Sequence, residues 1–192
     1  EEAQEAFWKA GQPLNSSKVL EALTQNAVRE NRYEDAAYYY VLLSKESLKM
    51  YAGQKNKEGQ EAKSFVANFH HYRNLAQIYY AYSFIFGYIA NPFTTLHPDM
   101  VFNISRYILN HVVVSSVRYL LNELNKFKQI PPSISKMFTL FALGKQAKDL
   151  GAFKTAKVAY EQLQQLNLPL AWIDQIELNL LHLKAKPYQD RE

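Results

Sequence analysis

Apolar residues in this 192-residue chain recur every three or four positions over long stretches, and one such arrangement is written twice. Residues 31–43, NRYEDAAYYYVLL, return 120 positions later as GAFKTAKVAYEQL, residues 151–163. In register, Asn31 matches Gly151, Tyr33 matches Phe153, Ala36 matches Ala156, Tyr40 matches Tyr160 and Leu43 matches Leu163. Ahead of them, Leu20, Leu23 and Ala27 fall where Leu140, Leu143 and Ala147 fall. Each copy reads as two helices joined by a tight turn. Asn31 and Gly151 occupy the turns, and these residue types best tolerate the left-handed backbone after a helix end. Ala36 and Ala156 sit where the second helix presses on the first. A larger side chain there forces the helices apart.

The rest of the chain is also helical by pattern. Residues 1–10 predict a short helix closed by Gly11 and Pro13, and Ser16 or Ser17 offers an N-cap for a helix to about Glu30. Residues 53–63, GQKNKEGQEAK, are polar and read as a loop or frayed helix end. Over 64–90 two patterns compete. Tyr80, Tyr82, Phe84, Phe86 and Tyr88 alternate as in a strand, whereas Phe69, Tyr72, Ala76, Tyr79, Ser83 and Phe86 keep helical spacing over a longer run. The longer run favours helix, ending at Asn91 before Pro92. Pro98 and Asp99 start another, with Val101, Ile104, Tyr107 or Ile108, and Val112 on one stripe, continuing or restarting through Val117, Leu121, Leu124 and Phe127. Pro131-Pro132 end it. Ser133 or Ser135 opens the next helix, and residues 170–185 form a closing amphipathic helix on Trp172 or Ile173, Ile176, Leu180 and Leu183.

Small alanines and apolar residues at these offsets are the signature of a tetratricopeptide (TPR) hairpin. The fold class expected is all-α, a TPR-like α-solenoid of stacked antiparallel helical hairpins. The expected organisation is one fragment over 1–192, with clear repeats near 18–48 and 136–166, irregular hairpins between them, and the closing helix near 170–185. A spacing of 120 is not a whole number of ordinary 34-residue repeats, so the middle departs from the standard unit.

Composition narrows the function. Apolar residues make up 48% and aromatics 14%, which indicates a globular, aromatic-rich chain. Net charge is only +4 without a basic block, which argues against nucleic-acid binding. There is no cysteine, which excludes disulfides and thiolate zinc sites within these residues and fits a reducing compartment. The longest mostly apolar run, near 78–90, holds four tyrosines, a serine and a glycine and is too short and polar for a membrane span. Lacking a start methionine and signal peptide, the chain reads as an excised piece of a longer protein. The triplets at Asn15 and Asn103 match the glycosylation pattern but carry no secretory context.

A search for chemistry finds little. His70 and His71 are adjacent and point about 100° apart on a helix, whereas a helical metal pair needs a spacing of three or four. His97, His111 and His182 are isolated. Gly144-Lys145 lacks the upstream glycine and following Ser or Thr of a phosphate loop, and no serine lies in a nucleophile elbow. Glu34-Asp35 falls in an inter-helix turn, where negative charge favours the next helix start. No catalytic, cofactor-binding or metal-ligating residue is therefore assigned, and no small-molecule substrate. An all-helical hydrolase would need paired carboxylates or histidines that the spacing does not supply. Asn26 and Lys145 lack the matching partners of a carboxylate clamp on successive repeats. Tyr38-Tyr39-Tyr40 cannot all face one neighbour. Either stacking buries them on several sides, or one or two rings line a partner interface, where tyrosine is enriched. Tyr79, Tyr80 and Tyr82 pose the same choice.

Three stretches carry a more specific likeness: RYEDAAYYYVLLSKESL (32–48), HPDMVFNISRYIL (97–109) and ISKMFTLFALGKQAKDLGAFKTAKVAYEQL (134–163). IELNLLHLKAKPYQD (176–190) extends it. Over residues 20–190 the chain resembles the C-terminal helical region of the intraflagellar transport protein 122 homologue family, core subunits of intraflagellar transport complex A. It departs by extra residues around 110–130 and in the 53–63 loop. The resemblance implies WD-repeat propellers upstream and a cysteine-containing zinc module downstream, neither present in these residues. It implies a non-enzymatic scaffold that supports retrograde ciliary transport and cilium assembly. Other complex A subunits would be the partners, without nucleic acid, direct membrane insertion or cofactor. The location implied is the cilium (axoneme and ciliary base) and cytoplasm. A generic TPR adaptor that holds short peptides in a concave groove is the alternative.

Overall fold

A computed structural model describes residues 2–55, 58–90, 116–125, 131 and 133–185. Among these the regular elements are helices: α1 (Glu2–Lys9), α2 (Pro13–Arg29), α3 (Tyr33–Gly53), α4 (Gln60–Ala90), α5 (116–125), α6 (Lys136–Asp149), α7 (Phe153–Gln164) and α8 (Leu170–Ala185). The fold class is the expected one, all-α and of the TPR-like solenoid type, built on antiparallel hairpins. The strand reading of residues 80–88 is discarded, because that stretch lies inside α4. The stripe expected over 98–112 lies outside the described residues, as do Phe127, His97 and His111. The chain divides into two compact units, residues 1–83 and 84–192.

The two copies of the repeat fold alike down to single hydrogen bonds. In the first, Asn31 takes a φ of 58°, its N–H donates to Val28 O at 3.2 Å, and the Arg32 N–H reaches back to Ala27 O at 2.8 Å. In the second, Gly151 has a φ of 80°, with the bonds to Lys148 O and Ala147 O at 3.2 and 2.8 Å. This is a Schellman ending, in which a left-handed residue lets its own amide and the next one satisfy orphan carbonyls of the helix just finished. The chain then reverses and packs α2 against α3, and α6 against α7. Ala27, Ala36, Ala147 and Ala156 are all fully buried at these crossings, and Leu20, Leu43, Leu140 and Leu163 fill the space around them. Burial of each such leucine contributes roughly 1.5–3 kcal/mol.

One difference between the copies has consequences. Gly144 on α6 lies under Tyr160, so close that a Cβ there would come within 2.8 Å of the ring. Tyr160 sinks onto bare backbone and is 1% exposed. The matching position in the first copy is Thr24, itself buried, with its hydroxyl bonded to Leu20 O at 2.7 Å. Tyr40 is correspondingly only half-buried and stacks sideways, on Tyr72 at 6.2 Å and Tyr79 at 5.3 Å. Tyr33 meets Tyr79 and Tyr82 at 6.3 and 4.9 Å. These contacts fix the register of α3 on α4: earlier residues of one meet later residues of the other, so the helices are antiparallel.

Two expectations at helix ends change. α2 begins at Pro13, with Gln12 at the cap position and no side-chain cap bond, so Ser16 and Ser17 are not N-caps. Proline presets the first helical φ and needs no amide partner, which frees both serines for a bond elsewhere. They donate to Glu46 on α3 instead. The polar stretch 53–63 is also shorter as a loop than expected. Gly53 still belongs to α3 and Gln60 already to α4, where Ala62 is 1% exposed and ties down the first turn. Ser135 is the N-cap of α6 and accepts from the Phe138 N–H at 3.3 Å.

In the second unit the core gathers Leu140, Ala156, Tyr160, Leu163, Ile176, Leu180 and Leu183, so α8 seats the expected stripe on the second hairpin. Trp172 closes the margin by stacking on Phe141 at 4.3 Å. Val117, Leu120 and Leu124 of α5 are buried, Leu120 replacing the expected Leu121, which packs at the edge of this core.

Candidate partner-docking groove

The tyrosine clusters answer the choice that their sequence posed by splitting. Tyr40, Tyr79 and Tyr82 turn inward to the stack between α3 and α4. Tyr38 and Tyr80 point outward and are 48% and 51% exposed. Both outward rings line a single groove in the first unit, with a volume of about 630 Å³. Its floor and walls are largely apolar: Ala37, Tyr38 and Val41 from α3, Phe69, Ala76 and Tyr80 from α4. Glu34, Lys45 and Arg73 supply the charge, and all three side chains reach solvent.

The groove has a simple origin in helical geometry. On α3 the lining positions 34, 38, 41 and 45 are separated by four, three and four residues. On α4 the lining positions 69, 73, 76 and 80 repeat the same steps. Each series is one face of an α-helix, next to the face that carries the aromatic stack. The antiparallel register sets Tyr80 beside Glu34, and Phe69 and Arg73 beside the Lys45 end. One end of the groove therefore carries a carboxylate, and the other half carries two cations.

Three tyrosines around this stack, Tyr33, Tyr40 and Tyr72, are poor acids. Tyr40 is pushed well above the ordinary tyrosine range by burial first, then by neighbouring Tyr79 and Tyr72. Burial also raises Tyr33, helped by Tyr82 and Tyr79, and it raises Tyr72, helped by Glu21, whose carboxylate lies 3.3 Å from the phenol. Such groups hold their protons at neutral pH and supply packing rather than proton transfer. Among the described residues no group of three His, Cys, Asp or Glu side chains converges as metal ligands. His70, His71 and His182 are exposed; His70 meets Phe69 edgewise and His71 lies tilted against Tyr72. Gly144 serves the Tyr160 contact, and Asn26 and Lys145 lie in different units. Among the described residues no helix is long and apolar enough to cross a membrane.

The sequence marks Tyr38 and Tyr80 as interface candidates and puts Phe69 only on a helical stripe, and it does not mark Val41, Arg73 or Lys45. The signal was present in the matched four-three-four spacing. It was masked because the same helices carry a second and stronger apolar stripe.

Comparison with known proteins gives a consistent family. The family model described as IFT122, TPR domain matches residues 1–138. Similar relatives include the intraflagellar transport protein 122 homologues of Mus musculus, at 41% identity, and of Danio rerio and Homo sapiens, each at 38%. All three alignments cover 100% of this chain and 14–15% of the relative. The chain thus spans about 15% of the length of the curated relatives it matches.

Proposed function

The chain belongs to the family described as IFT122, TPR domain, and from that premise we propose that it is a non-enzymatic scaffold segment of intraflagellar transport complex A. In this reading it supports retrograde ciliary transport and cilium assembly by holding other complex A subunits, at the ciliary base, along the axoneme and in the cytoplasm. The observation that carries the reading is family likeness along the whole chain, in a fold that presents an apolar groove with Tyr38 and Tyr80 exposed on its walls. Broad helical faces of this kind suit protein partners. Nucleic acid would call for a basic stripe, which a net charge of +4 does not supply.

The test uses the full-length protein in ciliated cells, with and without residues 1–192. Affinity capture of the intact protein should recover complex A subunits, and the deletion should reduce that recovery and strand cargo at ciliary tips. Undiminished recovery together with normal cargo return would remove the basis for the reading. A second reading, a TPR adaptor for short peptides, is favoured by the groove alone. A peptide array separates the two, because an adaptor selects one short linear motif from unrelated proteins.

A further inference from the structure

We infer that the groove between α3 and α4 is a docking site for an acidic amphipathic α-helix of about three turns, supplied by a different polypeptide. The inference rests on the scaffold reading and adds the chemistry of the partner. Length comes first. From Glu34 to Lys45 the groove follows eleven helical steps, which at 1.5 Å per residue is roughly 16 Å, or three turns of a docked helix. Backbone chemistry then selects a helix over an extended peptide. Both walls are helices, whose amides and carbonyls are already paired along their own ladders. An extended segment would bury backbone groups against a surface with nothing to offer them. A helix arrives with its backbone satisfied and presents side chains at the spacing that the two walls repeat.

Charge completes the description. Lys45 and Arg73 are exposed, and neither has an ion-pair partner among the described residues. Both belong to one half of the groove, while Glu34 marks the other end. An occupant that carries Asp or Glu toward the Lys45 end meets two cations. The partial negative charge of its C-terminal turn favours the same end. The occupant therefore lies parallel to α3, with its N-terminal turn by Glu34 and Tyr80. Its aliphatic residues, at steps of three and four, fill the space between Tyr38, Val41, Phe69 and Tyr80.

The experiment places a photo-crosslinking phenylalanine at Val41 or at Tyr80 of the full-length protein in ciliated cells and maps the captured peptide by mass spectrometry. The expected capture is one segment of another polypeptide with apolar residues at helical spacing and carboxylates toward its C-terminal half. The Tyr80 probe should mark it nearer its N-terminus than the Val41 probe. A synthetic peptide of that segment should bind the full-length protein. Its affinity should fall about tenfold or more in Lys45→Glu/Arg73→Glu and recover when its own carboxylates become lysines. A circular-dichroism melt of that variant should match wild type, since both positions are exposed. Capture of a second copy of this chain, of its own residues 91–115, or of a segment without helical spacing overturns the proposal, as does binding indifferent to charge reversal. Failure of the scaffold reading is separate. Complex A subunits recovered in full without the crosslink would sink the groove and leave the scaffold. The expected crosslink to a protein outside complex A would do the opposite.

Discussion

Asn31 and Gly151 stand at φ 58° and 80° and close hairpins whose bonds match atom for atom. Each hairpin then depends on a methyl-sized contact at Ala36 or Ala156, both 0% exposed. Enlarging either forces two helices apart across a filled crossing, which costs about 1–3 kcal/mol. Chemical denaturation of Ala36→Leu and Ala156→Leu should therefore show midpoints shifted down, with little change in slope. Equal midpoints would mean that the crossings have slack.

The buried tyrosines give a second residue-level expectation. Tyr33, Tyr40 and Tyr72 hold their protons more tightly in the folded chain than in the unfolded one. Below about pH 10, the ordinary tyrosine value, both states are protonated and the stabilisation is fully present. Above it the unfolded chain ionises first, so stability falls as pH climbs through the raised folded values. Denaturant midpoints taken from about pH 9 to pH 11.5 should drop for wild type and drop less for Tyr40→Phe, which has no proton to lose there. Parallel curves would mean that burial of the Tyr40 phenol does not control its ionisation.

At the scale of the element, α1 is held by a polar knot that has no equivalent in the second repeat. Glu46 on α3 is 2% exposed and accepts from Trp8 Nε1 at 2.7 Å, from Ser17 Oγ at 2.9 Å, and from Ser16 Oγ. Lys49 adds its ammonium 5.2 Å above the Trp8 ring. At the matching place in the second copy stands Leu166, packed against an apolar core. Glu46→Ala would strand three donors, among them a fully buried serine, at roughly 1–3 kcal/mol for each unsatisfied group. Glu46→Gln keeps one acceptor oxygen and should cost less. Hydrogen exchange should show α1 losing protection first in the alanine variant, and uniform loss along α2 and α3 would argue against a local anchor. Periodicity found α1, α2 and α3 as helices, but no local window reveals this knot. Its donors lie 29 to 38 residues from the acceptor, and the two serines look like caps until Pro13 is seen to start the helix. The same reasoning explains the groove. Its two walls come from α3 and α4, and only their register decides which tyrosine of each cluster turns outward.

For the molecule as a whole, family and fold class were legible because they are written in local strings and in one long-range repeat. The docking face was not, because it depends on which of two apolar stripes each helix spends on its own core. Charge then distinguishes modes of association. The chain carries 22 Lys and Arg against 18 Asp and Glu, and its groove offers two exposed cations rather than a basic stripe. A surface that neutralised six to ten phosphates would lose about 10³–10⁵ in affinity between roughly 50 and 200 mM salt. Two ion pairs at the rim of an apolar groove are screened far less steeply in total, because most of the contact is burial that salt does not weaken. Binding of the captured partner segment to the full-length protein should accordingly weaken by no more than about tenfold across that range, and in Lys45→Glu/Arg73→Glu the remaining dependence should reverse, because added salt then screens a repulsion. A loss of several orders of magnitude by titration calorimetry would mean that charge, rather than the apolar walls around Tyr38 and Tyr80, holds the partner.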